Sequence, residues 1–352
     1  MRRFIFKTLF FIVLLIVLNV QTKRILPFGW ENTEYFAKME HFRKTYQAGT
    51  NTLFFGSSRT LRHIDPVVFD SLNALRGIYT HSYNMASSAV FFNEQFYLFD
   101  YFFHDSSSTQ DLEYLFLELD DLVIMADIFI GTTRGAYYVN ASNLEKISTQ
   151  IVLSPIPLNE KIAQIYYHLA GMIANDCYIG LGGEMLKHLL SRPRPPMPRP
   201  AARMGYTPID TVFYEFRHTK NWQERRQELE KDTQIVHRLF ERRASLYRHP
   251  VLTDLYNPLV LATYQDFIAA MQQRGVHVIC ILPMRGVVEP ALISLYQALP
   301  DQHKINMTAH PDIEKLKAVK FWFDTGHLSL YGSRIYTELT SDAFIHFLQN
   351  ME

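Results

Sequence analysis

The stretch TLFFGSSRT at residues 52–60 decides the fold. Its first four residues form a short, mainly apolar run that ends at glycine, which is typical of a buried strand that leads into a turn. The serines that follow predict a turn into a helix. Such a strand–turn–helix unit exposes a serine hydroxyl at the carboxyl edge of a parallel sheet, where ligands of open α/β folds bind. Serines at helix starts commonly serve only as caps, so this stretch by itself indicates a fold rather than a function.

Other segments along the chain alternate between strand and helix patterns. The strand candidates are residues 78–83, 114–119 and 276–282. The helical patterns cover residues 59–75, 88–103 and 254–274. Strands that alternate with helices predict an α/β fold with a mainly parallel sheet.

The middle of the chain has a different character, and we interpret residues 128–250 as a mostly helical insertion. Helical patterns at 159–190 and 221–249 flank the linker RPRPPMPRP at 192–200. This linker is predicted to be extended and solvated, either as a plain spacer or as a basic ligand for a partner or for anionic lipid headgroups. The sheet domain would then consist of residues 25–127 and 251–352.

A second short segment whose side chains could take part in catalysis is DTGHL at residues 324–328. Asp324 and His327 are three residues apart, with Gly326 between them to ease a turn. A serine nucleophile needs a base, and the base needs a carboxylate on its other ring nitrogen. The alternative for this segment alone is a capped turn with a surface histidine.

Together, GSS at 56–58 and DTGHL at 324–328 resemble the two catalytic blocks of the SGNH (GDSL-like) hydrolase superfamily. The resemblance covers roughly residues 50–125 and 253–345. It implies a three-layer α/β/α fold with Ser58 as nucleophile, His327 as base and Asp324 as its partner. Within the superfamily the chain is similar to membrane-anchored proteins of cell-envelope acylation, such as the lipoteichoic acid D-alanyl transfer proteins. Those proteins work beside a multi-pass membrane acyltransferase.

The chain departs from the superfamily pattern where the oxyanion donors are expected. Ala86 stands near the position of a glycine whose N–H donates to the oxyanion, and the strand end ELDD at 118–121 lacks the usual asparagine. We expect the backbone N–H groups of Ser58 and Ala86 to donate. The missing donor is then replaced by Asn84 or by another group, or the oxyanion hole is weaker.

Two residues close to Ser58 are candidates for substrate binding. Arg59 could bind an anionic substrate or form a structural ion pair, and His63 could line the cleft or cap a helix. No H-E-x-x-H motif or cluster of histidines and carboxylates is present in the sequence, so we expect neither a metal nor a cofactor.

The N-terminus has the pattern of a membrane anchor, residues 1–24. Residues 8–22 are uncharged and mostly Leu, Ile, Val and Phe. With residues 4–6 the apolar span approaches the about 20 residues that cross a bilayer. No small-residue cleavage pattern follows, which favours an uncleaved anchor over a cleaved signal peptide. The basic flanks predict a cytoplasmic N-terminus and an extracytoplasmic body at the bacterial inner membrane.

Composition limits the remaining classes. The 352 residues contain 35 Lys and Arg and 35 Asp and Glu, so the chain lacks the basic excess of a dedicated nucleic-acid binder. The two cysteines exclude a disulfide-stapled scaffold and a four-cysteine zinc site.

The sequence therefore predicts a single-pass, extracytoplasmic SGNH-like acyltransferase. Its expected substrate is an envelope polysaccharide or a teichoic-acid-like polymer, and its expected partner is a multi-pass membrane acyltransferase. An esterase with the same Ser58, His327 and Asp324 is an open alternative, because both reactions share an acyl-enzyme. A non-catalytic assembly protein is a further alternative, favoured by the missing asparagine and disfavoured by the intact triad.

Overall fold

The computed structural model describes residues 1–25, 32–104, 110–177, 204–216, 220–248, 255–284 and 289–351. The chain divides into two compact units. One comprises Met1–Ala37 and Val123–Met197, and the other comprises Lys38–Leu122 and Pro198–Glu352. The second unit contains the sheet and all the candidate catalytic residues.

In the described part of the chain, the α-helices are α1 (Arg2–Ile25), α2 (Thr33–Thr45), α3 (Ser58–His63), α4 (Pro66–Ala74), α5 (Phe92–Phe103), α6 (Thr133–Ala136), α7 (Ala141–Leu153), α8 (Leu158–Cys177), α9 (Ile209–Phe216), α10 (Lys220–Lys231), α11 (Ile235–Arg248), α12 (Pro258–Gln272), α13 (Pro290–Ala298) and α14 (Leu330–Gln349). The strands are β1 (Thr52–Phe55), β2 (Ser82–Asn84), β3 (Tyr114–Glu118), β4 (His277–Leu282), β5 (Lys304–Asn306), β6 (Trp322–Asp324) and β7 (His327–Leu328). Short 3₁₀ helices cover Asp127–Phe129, Asp301–His303, Met307–Ala309, Ile313–Leu316 and Val319–Phe321.

The main sheet has five strands in the order β2-β1-β3-β4-β5, and every described pairing is parallel. This is the strand order of a common class of doubly wound α/β folds. In that order the chain reverses direction across the sheet between β1 and β3, and ligands of such folds bind at the carboxyl ends of those strands. Strand β1 is followed at its carboxyl end by Gly56, and Glu118 is the last residue of β3.

Helices cover both faces of this sheet. Adjacent residues of a strand point to opposite sides, so neighbouring side chains of β1 contact helices on different faces. Phe54 stacks on Phe116 of β3 and contacts Phe69 of α4. Phe55 instead packs edge-on against Phe99 of α5 on the other face. Since parallel strands are buried on both faces, the apolar run of β1 has no polar alternation.

The predicted helices at 59–75 and 221–249 are each two helices in the structure. The first breaks before Pro66, where Asp65 caps α4 and accepts a hydrogen bond from the N–H of Val67. The second breaks at residues 232–234, where Asp232 accepts a hydrogen bond from the N–H of Gln234. Asp in this turn satisfies backbone donors locally and so competes with the helix.

The strand predictions differ in outcome along the chain. The strands predicted from 52–55, 114–119 and 276–282 are confirmed within one residue at each end. The candidate at 78–83 is shorter and shifted, since only Ser82–Asn84 pairs with β1. The N–H of Ile78 donates to the backbone carbonyl of Asn73, so Ile78 is part of the turn that ends α4. Strand β5 was not predicted, and its three residues begin with a lysine.

The middle segment, residues 128–250, is divided between the two compact units. Its helices α9, α10 and α11 belong to the unit that contains the sheet, whereas α6, α7 and α8 belong to the other unit. The helix predicted at 159–190 is observed as α8 up to Cys177, and the rest of it lies outside the described residues. The linker at 192–200 also lies outside them.

In the other unit, α8 contacts α6 and α7. Helix α7 begins with a capping box in which Asn140 and Asn143 each accept a hydrogen bond from the other's backbone N–H. Helix α1 exposes apolar side chains such as Phe4, Phe10 and Leu18. Among the described residues, no helix combines the length and the hydropathy that a membrane crossing requires.

Candidate active site

The turn after β1 has the predicted strand–turn–helix geometry. Ser57 is the N-cap of α3, and its hydroxyl accepts a hydrogen bond from the N–H of Arg59 at 3.3 Å. Ser58 is therefore the first residue of the helix, and its side chain is half-buried. This arrangement places the Ser58 hydroxyl beside the carboxyl ends of the central strands.

Asp324 and His327 face each other across a tight β-hairpin. They form a register pair of the antiparallel strands β6 and β7, and Thr325 and Gly326 make the turn between them. The N–H of Gly326 donates to Asp324 Oδ1 at 2.8 Å, which fixes the carboxylate within the turn. The three-residue spacing in the sequence is thus the spacing of a two-residue hairpin.

The structure brings Ser58, His327 and Asp324 together in a hydrogen-bonded row. Ser58 Oγ lies 2.9 Å from His327 Nε2, although the two residues are 269 positions apart in sequence. His327 Nδ1 lies 2.9 Å from Asp324 Oδ1 and 3.2 Å from Oδ2. With two carboxylate oxygens against Nδ1, the proton of the neutral ring belongs on Nδ1. Nε2 then accepts the hydrogen bond from the Ser58 hydroxyl.

The charges of the site favour this protonation state. Burial alone would raise the pKa of Asp324, but the hydrogen bond and charge of His327 and the charge of Arg225 outweigh it and bring the pKa to about 2. Burial lowers the pKa of His327, and the opposing interaction with Asp324 does not restore its usual value. At neutral pH the site therefore holds an ionised carboxylate and a neutral imidazole, the form that a general base requires.

Beneath the serine turn, the carboxylate of Glu118 binds a set of donors from α3. Glu118 is buried and ends β3. It accepts from the Ser57 N–H at 2.9 Å and hydroxyl at 2.8 Å, from the Thr60 hydroxyl at 2.7 Å and from Arg59 Nε at 2.8 Å. Arg59 Nη2 also lies 2.7 Å from Glu118. Glu118 thus ties the first turn of α3 to the sheet.

We expect Glu118→Gln to lower the free energy of unfolding by about 3 kcal/mol, because breaking a buried charge pair leaves the other charge uncompensated. The amide also offers one oxygen where the carboxylate offers two. Urea unfolding would measure the loss, and Glu113→Gln is the matched control because Glu113 is exposed just before the same strand. Equal unfolding free energies of the two variants would contradict the structural role of Glu118.

Gly56 is required where β1 approaches Glu118. A Cβ at this position would lie 2.6 Å from Glu118 Cβ, from Glu118 Oε2 and from Thr60 Oγ1. No real Cβ tolerates such distances, so the turn after β1 has room only for glycine.

The expected cost of Gly56→Ala is about 2 to 3 kcal/mol of stability, since the extra methyl group forces the carboxylate network apart. The same substitution at Gly326 is the control, because a Cβ there would meet only Asp324 Oδ1, at 3.5 Å. Urea midpoints of the two variants would be compared with that of the parent chain. Equal urea midpoints for the two glycine variants would show that a Cβ at residue 56 does not destabilise the fold.

The structure does not support the alternative that Asn84 replaces the missing oxyanion donor, because both N–H bonds of its amide have other acceptors. Its two N–H bonds go to the carbonyl oxygens of Thr60 at 2.8 Å and Ile64 at 3.0 Å, and the side chain is completely buried. Asn84 Oδ1 accepts from the N–H of Ala86 at 3.1 Å. The Ala86 N–H, which the sequence predicts as an oxyanion donor, is therefore bound to Asn84 in the structure. The carbonyl of Ala86 accepts a hydrogen bond from Lys38 Nζ. Asn84 joins α3 to the neighbouring strand end and does not face a substrate.

The backbone N–H of Ser58 stays the predicted oxyanion donor, and the bonds of the neighbouring amides bear on it. Among the first-turn amides of α3, Glu118 binds those of Ser57 and Thr60, and Ser57 binds that of Arg59. In the described part of the chain, no acceptor is recorded for the Ser58 N–H. It lies at the positive end of the helix dipole, next to the hydroxyl that would react.

Arg59 and His63, the two candidates for substrate binding, both have structural partners. Arg59 forms the ion pair with Glu118, which agrees with the structural alternative of the sequence interpretation. His63 is buried, and its Nε2 accepts from the N–H of Leu328 at 3.1 Å. Burial holds the pKa of His63 well below its usual value, so the ring stays neutral. It positions the backbone next to His327 and does not line a cleft.

Sequence reasoning missed Glu118 and Arg225 as site residues. An acidic residue that ends an otherwise apolar strand was a usable signal for Glu118, since buried carboxylates need partners. Arg225 lies in a highly charged helix, WQERRQELEK, in which no residue is singled out by the pattern. Its guanidinium pairs with Asp324.

Comparisons with known proteins add no further assignment. The chain matches no protein-family model, no curated protein and no solved structure. Within the described residues, no group of three or more His, Cys, Asp or Glu side chains is arranged to hold a metal ion. The geometry of Ser58, His327 and Asp324 is thus the basis for inferring a function.

Proposed function

We propose that this protein is an SGNH-type acyl-transfer enzyme that works through an acyl-serine intermediate. The observation that carries the proposal is the row from Ser58 Oγ through His327 to Asp324, with contacts of 2.9 Å on both sides of the imidazole. Nucleophile, base and orienting carboxylate are in hydrogen-bond contact, which is the geometric requirement for a serine nucleophile.

In the proposed reaction, Ser58 Oγ attacks the carbonyl carbon of an ester or thioester, and His327 Nε2 takes the hydroxyl proton. The ionised Asp324 stabilises the imidazolium that results. The Ser58 N–H donates to the oxyanion. Collapse of the tetrahedral intermediate breaks the bond to the leaving alcohol or thiol, which receives the proton from His327. An acceptor hydroxyl or water then loses its proton to His327 and attacks the acyl-serine. The bond between the acyl carbon and Ser58 Oγ breaks, and Ser58 Oγ takes the proton back from His327.

The SGNH assignment also draws support from the positions of the blocks in the fold. The nucleophile follows the first strand of a parallel sheet, and the Asp–His pair precedes the last helix, α14. Both lie with Glu118 at one group of strand ends, in a sheet with a doubly wound strand order. The three-layer arrangement of helices on both faces is what the resemblance implies.

The finer assignment is to acyl transfer at the bacterial cell envelope. We propose that residues 1–24 anchor the chain in the inner membrane, with the catalytic unit outside it. The apolar sequence and the exposed apolar side chains of α1 support this part of the proposal. The acceptor would be a hydroxyl of an envelope polysaccharide or a teichoic-acid-like polymer, and a multi-pass membrane acyltransferase would supply the acyl group.

The test of catalysis uses the purified full-length chain with an activated ester, 4-nitrophenyl acetate. We expect release of 4-nitrophenolate above the rate in buffer, and a mass gain of one acetyl group on the quenched protein. Release at the buffer rate with no mass gain would contradict the proposal and favour a non-catalytic assembly role. A polyol added as acceptor separates the two reactions, since acetylated polyol indicates transfer and acetate alone indicates an esterase.

A further inference from the structure

Helix α10 of the middle segment packs against the strand that ends in Asp324. Trp222 contacts the ring of Phe323 edge-on at 5.9 Å, and Arg226 Nη1 donates to the carbonyl of Trp322 at 2.9 Å. Between them on the helix, Arg225 lies over the ring of Trp222 at 4.9 Å. These contacts hold the Arg225 guanidinium at the end of β6.

From this position Arg225 reaches the two residues that activate Ser58. Its Nη2 donates to Asp324 Oδ2 and lies 3.0 Å from His327 Nδ1. The Nδ1 atom carries the ring proton and donates it in a hydrogen bond to Asp324, so it cannot also accept a hydrogen bond from Arg225. The carboxylate is therefore what binds the guanidinium, and the imidazole is held beside a fixed positive charge.

We infer that Arg225 is a positioning residue of this site, which orients the Asp324 carboxylate and keeps His327 as the neutral base. The inference rests on the proposed function and deepens it by giving α10 a part in the active site. Two oxygens of Asp324 then have separate tasks. Oδ1 makes the shorter contact with His327 Nδ1 and accepts from the N–H of Gly326, while Oδ2, 3.2 Å from Nδ1, accepts from Arg225.

The charges that face His327 come from three places in the fold. Asp324 on the same hairpin favours the imidazolium, whereas Arg225 of α10 and Arg62 of α3 oppose it. His63 of α3 lies at a ring distance of 6.2 Å and stays neutral. Near His63, the charges of Arg59 and Glu118 oppose each other as an ion pair. Arg225 is the positive charge in direct contact with the Asp324–His327 pair, so it is the charge to remove by substitution.

The expected sign follows from charge repulsion. Arg225 lowers the pKa of His327, so loss of its charge raises that pKa. Catalysis needs the neutral ring and is present above this pKa. Removal of Arg225 therefore moves the acid limb of any Ser58-dependent reaction to higher pH.

The test is an NMR titration of the His327 imidazole in the full-length chain, with its signal assigned by its loss in His327→Gln. Arg225→Gln should raise the pKa of His327, and Arg225→Lys, which keeps the charge, should restore it towards the parent value. Lys231→Gln is the matched control, because it removes an exposed positive charge at the end of the same helix. An unchanged or lowered pKa in Arg225→Gln would overturn the inference, as would an equal rise in Lys231→Gln.

A second readout separates this inference from the proposed function. Labelling of the chain by a fluorophosphonate, followed against pH, should have its acid limb at higher pH in Arg225→Gln than in the parent. If the parent chain is not labelled at any pH, the proposed function fails, while the titration still decides the role of Arg225. If the parent is labelled and the acid limbs coincide, Arg225 does not tune His327 and the inference fails alone.

Discussion

Ser58→Ala is expected to lower the rate of ester cleavage by about 10⁶-fold, the scale on which loss of a triad serine acts in an established serine hydrolase. The reason is that Ser58 Oγ is the atom in contact with His327 Nε2, at 2.9 Å. No other serine in the described chain has a recorded contact with that nitrogen. The measurement is release of 4-nitrophenolate by equal amounts of parent and variant, with circular dichroism to confirm that both are folded.

Ser71→Ala is the matched control for this experiment. Ser71 lies exposed on α4, where its hydroxyl donates to the carbonyl of Val67. Its loss should leave the rate within about twofold of the parent, because surface substitutions away from a site act weakly. Residual cleavage by Ser58→Ala at the rate of Ser71→Ala would exclude Ser58 as the nucleophile.

Asp324→Asn is expected to lower the same rate by about 10⁴-fold, the loss seen where this substitution forces the wrong histidine tautomer. An amide at Asp324 can present an N–H to His327 Nδ1, which then accepts and moves the ring proton to Nε2. A protonated Nε2 cannot take the proton of Ser58. The loss should fall on the chemical step, so acylation by a fluorophosphonate should slow by a similar factor.

The control for Asp324→Asn is Asp301→Asn, because Asp301 has a side chain that is 99% exposed at the start of a 3₁₀ helix. It should cleave the ester at the parent rate and unfold at nearly the parent urea concentration. A loss of less than tenfold in Asp324→Asn, with a folded chain, would mean that the Asp324–His327 contact does not support catalysis.

The sequence predicted the parts of this molecule that depend on local pattern. The run at 52–60 is a strand, a cap and a helix start, and each follows from the residues themselves. For Asp324 and His327 the sequence predicted a turn between them, and the structure adds the strands β6 and β7 on either side of that turn. Their meeting with Ser58 was predicted only through the resemblance, since 269 positions separate the serine and the histidine.

What could not be predicted depends on contacts between distant segments. Glu118 binds the helix start at 57–60 because β1 and β3 are neighbours in the sheet. Arg225 reaches Asp324 because α10 packs on β6, and nothing in its charged sequence distinguishes it from Arg226. Asn84 was one alternative for the missing oxyanion donor, but in the structure both of its side-chain N–H bonds and its carbonyl oxygen bind buried backbone groups, as burial demands of an amide.

The identity of the nucleophile is the central claim, and covalent trapping tests it most directly. The full-length chain would be treated with a fluorophosphonate, digested and mapped by tandem mass spectrometry. We predict one phosphonylated residue, Ser58, and no adduct in Ser58→Ala. An adduct on Ser57 or on any other residue, or an unmodified Ser58 after prolonged treatment of the folded chain, would contradict the account.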